Sequence, residues 1–388
     1  MLEQQIAEGQ AAFSASLGAM DELLTVSRSQ ELSTRPREIS AICQIFSLSS
    51  QSCKRVPEYL GRLATIKERM TVKVYEIKNT TLHCDSLFAI GILDLCNVHA
   101  DTAAEVYRND ICNALMPSKQ HMSHTLQGTH GARYLSHARA LFKFGDRRDA
   151  SACHPTFYKT RLTSKRDDNY VLLDLNHARH WGVMAAVPSY DIPWGSKSAR
   201  VVWRGVSTGK CSATAVNSRM MLCDRWFRSS DARIDVGMTS IVQGCGEAKK
   251  FVKPGMSMKG MLQSKYILVV NGNDKASGLN WALLSNSVPF MVEPDVESWL
   301  LESNLKAWVH YIPVKPDFSD LSSQVDWAVE NDSEAERIAK AGKEYVRQFG
   351  SATAEAIVQA AVLTAYLDRV NVKTGGLKGH LEGECSEE

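Results

Sequence analysis

The sequence contains no window of eighteen apolar residues, so it predicts no helix that crosses a bilayer. Its net charge is only +2, from 45 basic and 43 acidic residues, which is too small to indicate a nucleic-acid partner. The N-terminus lacks the basic segment followed by an apolar core that marks a secretory signal. These absences favour a protein of the cytoplasm.

The ten cysteines form no CxxC pair. Scattered thiols of this kind are typical of a reducing compartment, where they act as small buried hydrophobic residues. A disulfide is the alternative that the spacing leaves open. Four histidines, at 121, 124, 130 and 137, fit no zinc-ligand spacing. We therefore expect free thiols, no metal ion and a cytoplasmic location. A further expectation is that the apolar N-terminal helices rest against the membrane's cytoplasmic face.

The clearest pattern lies at residues 265–314. An apolar run at 266–270 predicts a buried strand, and it is followed by a polar loop with Gly278 and by residues that favour a helix. Further strands are predicted at 288–292 and 308–314, with an amphipathic segment between them. Two βαβ repeats of this kind predict a doubly wound sheet with ligands at the carboxyl ends of its strands. A loop leading into a helix N-terminus can bind an anion, although it can also serve only as a connection.

A second strand, loop and helix are predicted at residues 199–225. The loop contains Gly205, Ser207, Thr208 and Gly209, which indicates a second phosphate-type turn. It is not a P-loop, because its spacing is one residue short and Cys211 stands where Ser or Thr must bind magnesium. A phosphotransferase of that class is therefore disfavoured.

In the first half, an apolar strand pattern at residues 140–144 runs directly into Asp146. An acid at the carboxyl end of such a strand faces the ligand side of an α/β domain, and such an acid can also merely cap a turn. Asp149, Asp167 and Asp168 are the competing acids.

Three segments resemble glycosyltransferase family 90 in order and spacing. They are Asn271-Gly-Asn-Asp-Lys-Ala-Ser-Gly-Leu-Asn-Trp281, Ser287-Val-Pro-Phe290 and Trp308-Val-His-Tyr-Ile-Pro-Val314. The family contains capsule xylosyltransferases, protein O-glucosyltransferases and bacterial lipopolysaccharide-type enzymes. The resemblance extends over residues 142–349 and is strongest to the bacterial branch.

The resemblance implies an α/β, GT-B-like fold with two Rossmann-type domains facing across a cleft. We expect an acceptor domain at residues 1–195 and a nucleotide-sugar domain at 196–350. Pro, Gly and Ser residues near 195 favour that boundary. A helix at 351–373 is expected to cross back to the first domain, and the glycine-containing acidic tail at 374–388 is expected to be disordered.

The resemblance also implies a reaction and a set of residues. An inverting enzyme would move a hexose or pentose from a UDP-sugar to a hydroxyl of a glycan or a lipid-linked, lipopolysaccharide-type acceptor, without a metal. Asp146 would be the base. The implied acceptor-cleft residues are Arg179, His180 and Trp181. The implied donor-binding residues are Arg204, Gly205, Ser207, Thr208, Arg219, Asn273, Lys275, Ser277, Gly278 and Asn280.

One departure from the family pattern concerns the donor loop. Asn273 and Asn280 stand where the protein-glucosylating members carry arginines. We expect an altered donor pocket in which Lys275 and Arg219 supply positive charge. The alternatives are an inactive member that acts as a scaffold and a nucleotide-binding enzyme of other chemistry.

Overall fold

The computed structural model describes residues 35–75, 79–83, 89–94, 108, 111, 139–146, 154–166, 168–175, 183–349 and 352–375. The chain divides into two compact units, one formed by residues 1–176 and 351–388 and the other by residues 177–350. Within the described residues the α-helices are α1 Ile39–Ile45, α2 Ser50–Leu60, α3 Val187–Tyr190, α4 Arg219–Trp226, α5 Met258–Met261, α6 Gly278–Leu284, α7 Leu321–Glu330, α8 Asp332–Arg347 and α9 Ala352–Arg369. The strands are β1 Met70–Tyr75, β2 Asn79–His83, β3 Ala89–Asp94, β4 Arg139–Lys143, β5 Thr156–Tyr158, β6 Arg161–Leu162, β7 Tyr170–Leu172, β8 Ser198–Val206, β9 Ile234–Ser240, β10 Ser264–Val269, β11 Val288–Met291, β12 Val296–Glu297, β13 Ile312–Pro313 and β14 Val370–Gly375.

The first unit is built on a mainly parallel sheet with the strand order β2–β3–β4–β5–β7. Strands β3, β4, β5 and β7 run parallel to one another, and β2 pairs antiparallel with β3. The middle of β4 and all of β5 and β7 are buried, which explains why these strands are apolar without alternation. Their carboxyl ends, at Lys143, Tyr158 and Leu172, therefore lie along one edge of the sheet.

The last helix, α9, belongs to the first unit and packs against α1 and α2. A buried ion pair joins Arg55 of α2 to Glu355 of α9 at 2.6 Å. The Tyr366 hydroxyl accepts a hydrogen bond from the Leu141 amide at 3.2 Å and donates one to the Pro155 carbonyl at 2.9 Å. Helix α9 is thus attached directly to the sheet.

The chain continues from α9 into β14, which pairs parallel with β1. Residues 374 and 375 of the expected tail lie in β14, and residues 376–388 lie outside the described residues.

The second unit contains a parallel sheet with the order β13–β11–β10–β8–β9. When the five strands are numbered by their order in the chain and read across the sheet from β9 to β13, the order is 2-1-3-4-5, a doubly wound arrangement. The order reverses between its first and third strands, here β8 and β10, and leaves a crevice beyond their carboxyl ends. The predicted α/β class is confirmed, whereas the arrangement of two domains across a cleft stays a prediction.

Two elements of the second unit differ from the prediction. The strand predicted at 308–314 is reduced to β13, because Trp308 has a φ of 62° that turns the chain. The amphipathic segment at 296–301 holds β12 and leads into a 3-10 turn at Glu302–Asn304. Within the fully described residues 292–311 there is no α-helix, so the second predicted βαβ repeat is wrong.

Four cysteines that the sequence predicted as free thiols are paired. Disulfides join Cys43 to Cys53 and Cys211 to Cys245. The free-thiol prediction is wrong at these positions, because the fold brings together cysteines whose proximity cannot be inferred from their spacing in the sequence. Disulfides are typical of oxidising compartments, so the thiols no longer support a cytoplasmic location. Across the part of the chain that the structure describes, no helix has the length and apolar character needed to span a bilayer.

Gly61, which ends α2, provides a test of the first unit. Its φ of 55° and ψ of −134° belong to a region that is almost restricted to glycine, and a Cβ there would lie 2.4 Å from the Arg166 carbonyl oxygen. Gly61→Ala should lower the free energy of unfolding by about 2 kcal/mol or more, as measured by urea denaturation. Gly195→Ala is the control, because a Cβ at Gly195 meets nothing within 4 Å. Equal stability of the two variants would contradict this account.

Candidate functional site

The loops that follow β8 and β10 meet where the strand order reverses. The Gly209 amide of the first loop donates to Oδ1 of Asn273 in the second at 3.0 Å. Gly209 has a φ of 96°, and a Cβ there would lie 3.0 Å from the Gly272 carbonyl oxygen. A Cβ on Gly272 would lie 2.7 Å from the Thr208 hydroxyl oxygen. Side chains at either glycine would therefore push the two loops apart.

Arg219, the first residue of α4, connects these two loops. Its Nη1 donates to the Val206 carbonyl at 2.8 Å and to the Thr208 hydroxyl at 2.6 Å. Its Nε and Nη2 donate to the Val270 carbonyl at 3.4 and 3.2 Å. One guanidinium thus spans the ends of β8 and β10. The N-terminus of α4, capped by Ser218, adds to the positive potential.

The candidate base lies at the carboxyl edge of the sheet in the first unit. Asp146 follows β4 after Gly145, which has a φ of 87°. The Asp146 side chain is 32% exposed, and its Oδ1 accepts a hydrogen bond from the buried Lys159 ammonium. The neighbouring positive charge stabilises the ionised carboxylate, which is the form that can accept a proton.

Comparison with known proteins places these features in a family. The family model described as Glycosyl transferase family 90 matches residues 179–374, just over half of the chain. The chain belongs to glycosyl transferase family 90.

Three relatives illustrate the family's breadth. O-glucosyltransferase LpsA of Dichelobacter nodosus is 32% identical over 212 residues, which are 55% of this chain and 62% of that protein. Protein O-glucosyltransferase 2 of Danio rerio is 29% identical over 42% of this chain and 32% of its own length. Protein O-glucosyltransferase 3 of Rattus norvegicus is 37% identical over 27% of this chain and 19% of its own length. Each alignment covers less than two thirds of the relative.

Arg204, which the resemblance to family 90 implied as a donor ligand, is bound to Asp235. Its Nη2 lies 2.9 and 3.0 Å from the two carboxylate oxygens, and its other nitrogens donate to backbone carbonyls. Burial alone would raise the pKa of Asp235, but hydrogen bonds from Lys253 and Arg204 hold it below its ordinary value. The carboxylate therefore stays charged, and Arg204 ties β8 to β9 through the ion pair.

Lys275 and Asn280 belong to a buried network below the second loop. The Lys275 ammonium lies 2.6 Å from Oε1 of Glu302, and both side chains are only 2% exposed. It also donates to Ser298 Oγ at 2.7 Å and to Asn280 Oδ1 at 3.0 Å. The positive charge of Lys275 is thus balanced inside the unit, and the pair fixes the loop in place.

The remaining predicted donor residues have largely structural contacts. The Ser207 hydroxyl donates to the Val242 carbonyl at 2.9 Å and accepts from the Val242 amide at 2.7 Å. A Cβ on Gly205 would lie 2.7 Å from the Trp203 ring. Ser277 and Gly278 begin α6.

The other predicted site residues lie outside the described residues. These are Arg179, His180 and Trp181 of the expected acceptor cleft and the competing acids Asp149 and Asp167. Within the described part of the chain, no group of three or more His, Cys, Asp or Glu side chains is placed to hold a metal ion.

Sequence reasoning missed three features of the site. Lys159 directly follows β5, and its position after the short run Pro155-Thr-Phe-Tyr158 was the available signal. Asp235 and Glu302 had no comparable signal, because their importance comes from the cations that they neutralise across long sequence separations.

The Cys211–Cys245 disulfide joins the loop after β8 to the loop after β9. The two loops are also joined by the hydrogen bonds between Ser207 and Val242. The thiol of Cys223 lies buried in the core of this unit, and burial raises its pKa to about 12, which keeps it protonated. Cys223 is therefore a poor partner for disulfide exchange.

Removing this cross-link should destabilise the second unit. The pair is separated by 34 residues, and a loop of that size corresponds to a stabilisation of about 3–4 kcal/mol. The Cys211→Ser/Cys245→Ser variant, made in a Cys43→Ser/Cys53→Ser background, should unfold at lower denaturant concentration. Reduction of the background protein by dithiothreitol should lower its unfolding midpoint to that of the variant. If neither treatment moves the midpoint, the disulfide contributes nothing to stability.

Proposed function

We propose that this chain is an inverting glycosyltransferase that moves a sugar from a UDP-sugar to a hydroxyl of a glycan or lipopolysaccharide-type acceptor. The observation that carries the proposal is the meeting of two glycine-containing loops at the switch point of a doubly wound sheet, with Arg219 across both strand ends. Family membership supports sugar transfer, and the relatives named O-glucosyltransferases favour glucose as the sugar.

The donor diphosphate would lie against the loops after β8 and β10. The phosphate oxygens would meet the Arg219 guanidinium and the amides at the start of α4, which together provide a fixed positive field. Thr208 and Asn273 border this position through their contacts with Arg219 and Gly209. Lys275, Asn280 and Arg204 would act indirectly by holding the loops and strand ends in place.

The chemistry requires a base on the side opposite the leaving group. The Asp146 carboxylate would take the proton of the acceptor hydroxyl as its oxygen bonds to the anomeric carbon. The bond from that carbon to the diphosphate oxygen breaks at the same time, so the configuration is inverted. The charge that develops on the nucleotide diphosphate would be stabilised by Arg219 and by the helix dipole, without a requirement for a metal.

The disulfides of the described residues bear on the location of the enzyme. Two disulfides favour an oxidising compartment over the cytoplasm that the sequence predicted. Contact of the N-terminal helices with a membrane that presents a lipid-linked acceptor stays a prediction, because residues 1–34 lie outside the described residues.

A donor panel tests the activity and the base together. The full chain should hydrolyse one donor selectively from a set of UDP- and GDP-sugars, because water slowly replaces the acceptor. Asp146→Asn should lower this turnover by about 100-fold or more while nucleotide binding is kept. An asparagine oxygen can still accept from Lys159, which limits damage to the fold.

Hydrolysis of no donor would favour the scaffold alternative. Selective hydrolysis that survives in the Asp146→Asn variant would place the base elsewhere, with Asp149 and Asp167 as the next acids to replace.

Arg219 provides a separate test of the donor position. Arg219→Met should weaken UDP binding by about 10- to 100-fold, since hydrogen bonds to a charged group contribute about 1.5–3 kcal/mol. Arg225→Met on the same helix is the matched control, because its side chain is 43% exposed and lies 3.6 Å from the exposed Asp317. Isothermal titration gives the affinities, and thermal unfolding checks that both variants fold. Equal UDP affinity in the two variants would contradict the proposed donor position.

A further inference from the structure

Lys159 and Asp146 lie at the ends of neighbouring parallel strands. The register pairs Phe142 with Phe157 and Lys143 with Tyr158, so β4 and β5 end side by side. Lys159 is the first residue after β5, whereas Asp146 stands three positions after β4, beyond Gly145. Two side chains of opposite charge thus meet at the same edge of the sheet.

The two side chains differ sharply in exposure. The Lys159 side chain is 3% exposed and the Asp146 side chain is 32% exposed. A buried ammonium is costly unless an anion and hydrogen bonds compensate it. Because Lys159 is covered, a saccharide cannot bind to it directly, whereas its partner Asp146 is exposed enough to contact a substrate.

The segment that carries Lys159 is held firmly. The next two residues, Thr160 and Arg161, are 1% and 0% exposed. Arg161 donates to the Glu58 carbonyl at 2.6 Å and to the Tyr170 carbonyl at 3.0 Å, which attaches the segment to the end of α2 and to β7. An ammonium on such a rigid segment can fix the orientation of a partly exposed carboxylate.

We propose that Lys159 is a positioning residue for the catalytic carboxylate, an inference that rests on the proposed role of Asp146 as the base. The ammonium donates to Oδ1 and thereby orients the carboxylate toward the acceptor hydroxyl. During transfer the hydroxyl proton moves to Asp146, the hydroxyl oxygen bonds to the anomeric carbon, and the nucleotide diphosphate leaves with the electron pair of the broken bond. Lys159 stays protonated throughout and exchanges no proton.

The test uses the full chain and the donor that the panel identifies. Lys159→Met should lower kcat by about 10- to 100-fold, because a base displaced by about 1 Å loses activity on this scale. The KM for the donor should stay unchanged, since Lys159 is buried and the proposed donor position lies at the loops after β8 and β10. Lys159→Arg, which keeps a charged donor, should retain more activity than Lys159→Met. Lys165→Met is the matched control, because Lys165 lies in the same unit and contacts the Tyr170 ring instead.

A double variant separates positioning from a structural role. If Lys159 acts through Asp146, Lys159→Met should cause no further loss in the residual activity of Asp146→Asn. An equal loss in both backgrounds would overturn the proposal, as would a folded Lys159→Met enzyme with the wild-type kcat. If Lys159→Met fails to fold, the Lys159→Arg variant provides the test. The proposal would be overturned if a folded Lys159→Arg enzyme lost as much kcat as Asp146→Asn does.

Failure of the proposed function gives different results. A wild-type chain that turns over no donor would refute the transferase proposal itself. Full turnover by Asp146→Asn would refute the base assignment and, with it, the role of Lys159.

Discussion

The close approach of two backbone loops at Gly209 and Gly272 is the constraint on which the candidate donor site depends. Parallel neighbours such as β8 and β10 end at the same edge of the sheet, so their loops start side by side. The absence of side chains at the two glycines then lets the loops touch. In this arrangement the guanidinium of Arg219 reaches the Val206 and Val270 carbonyls together.

Two of the cations around this site form ion pairs, and a third is oriented by several hydrogen bonds. Arg204 and Lys275 are neutralised by Asp235 and Glu302, so their charges stabilise strand ends and a loop. Arg219 donates to carbonyl and hydroxyl oxygens at both strand ends, and these bonds orient its guanidinium. A guanidinium held in this way is already ordered before an anion arrives, which lowers the entropic cost of binding.

The sequence predicts the strands well where burial on both faces makes them continuously apolar, as at residues 140–144 and 266–270. It also predicts both loops of the candidate site, because turn residues directly follow those strands. It could not predict the short β13, since the left-handed Trp308 is held by hydrogen bonds such as that from its amide to the Tyr311 carbonyl. Nor could it predict the disulfides or the partner of Lys275, because these depend on tertiary proximity.

The positions of Asp146 and Lys159 in the first unit depend partly on helix α9, which lies more than 190 residues later in the sequence. Tyr366 on α9 bonds to the Leu141 amide and the Pro155 carbonyl, which belong to β4 and to the residue before β5. Those two strands carry Asp146 and Lys159 at their carboxyl ends. The spacing between the strands, and with it the geometry of the carboxylate and the ammonium, is therefore set partly by the last helix. A fragment ending at residue 350 would contain every proposed catalytic side chain and still lack the hydroxyl that joins their strands.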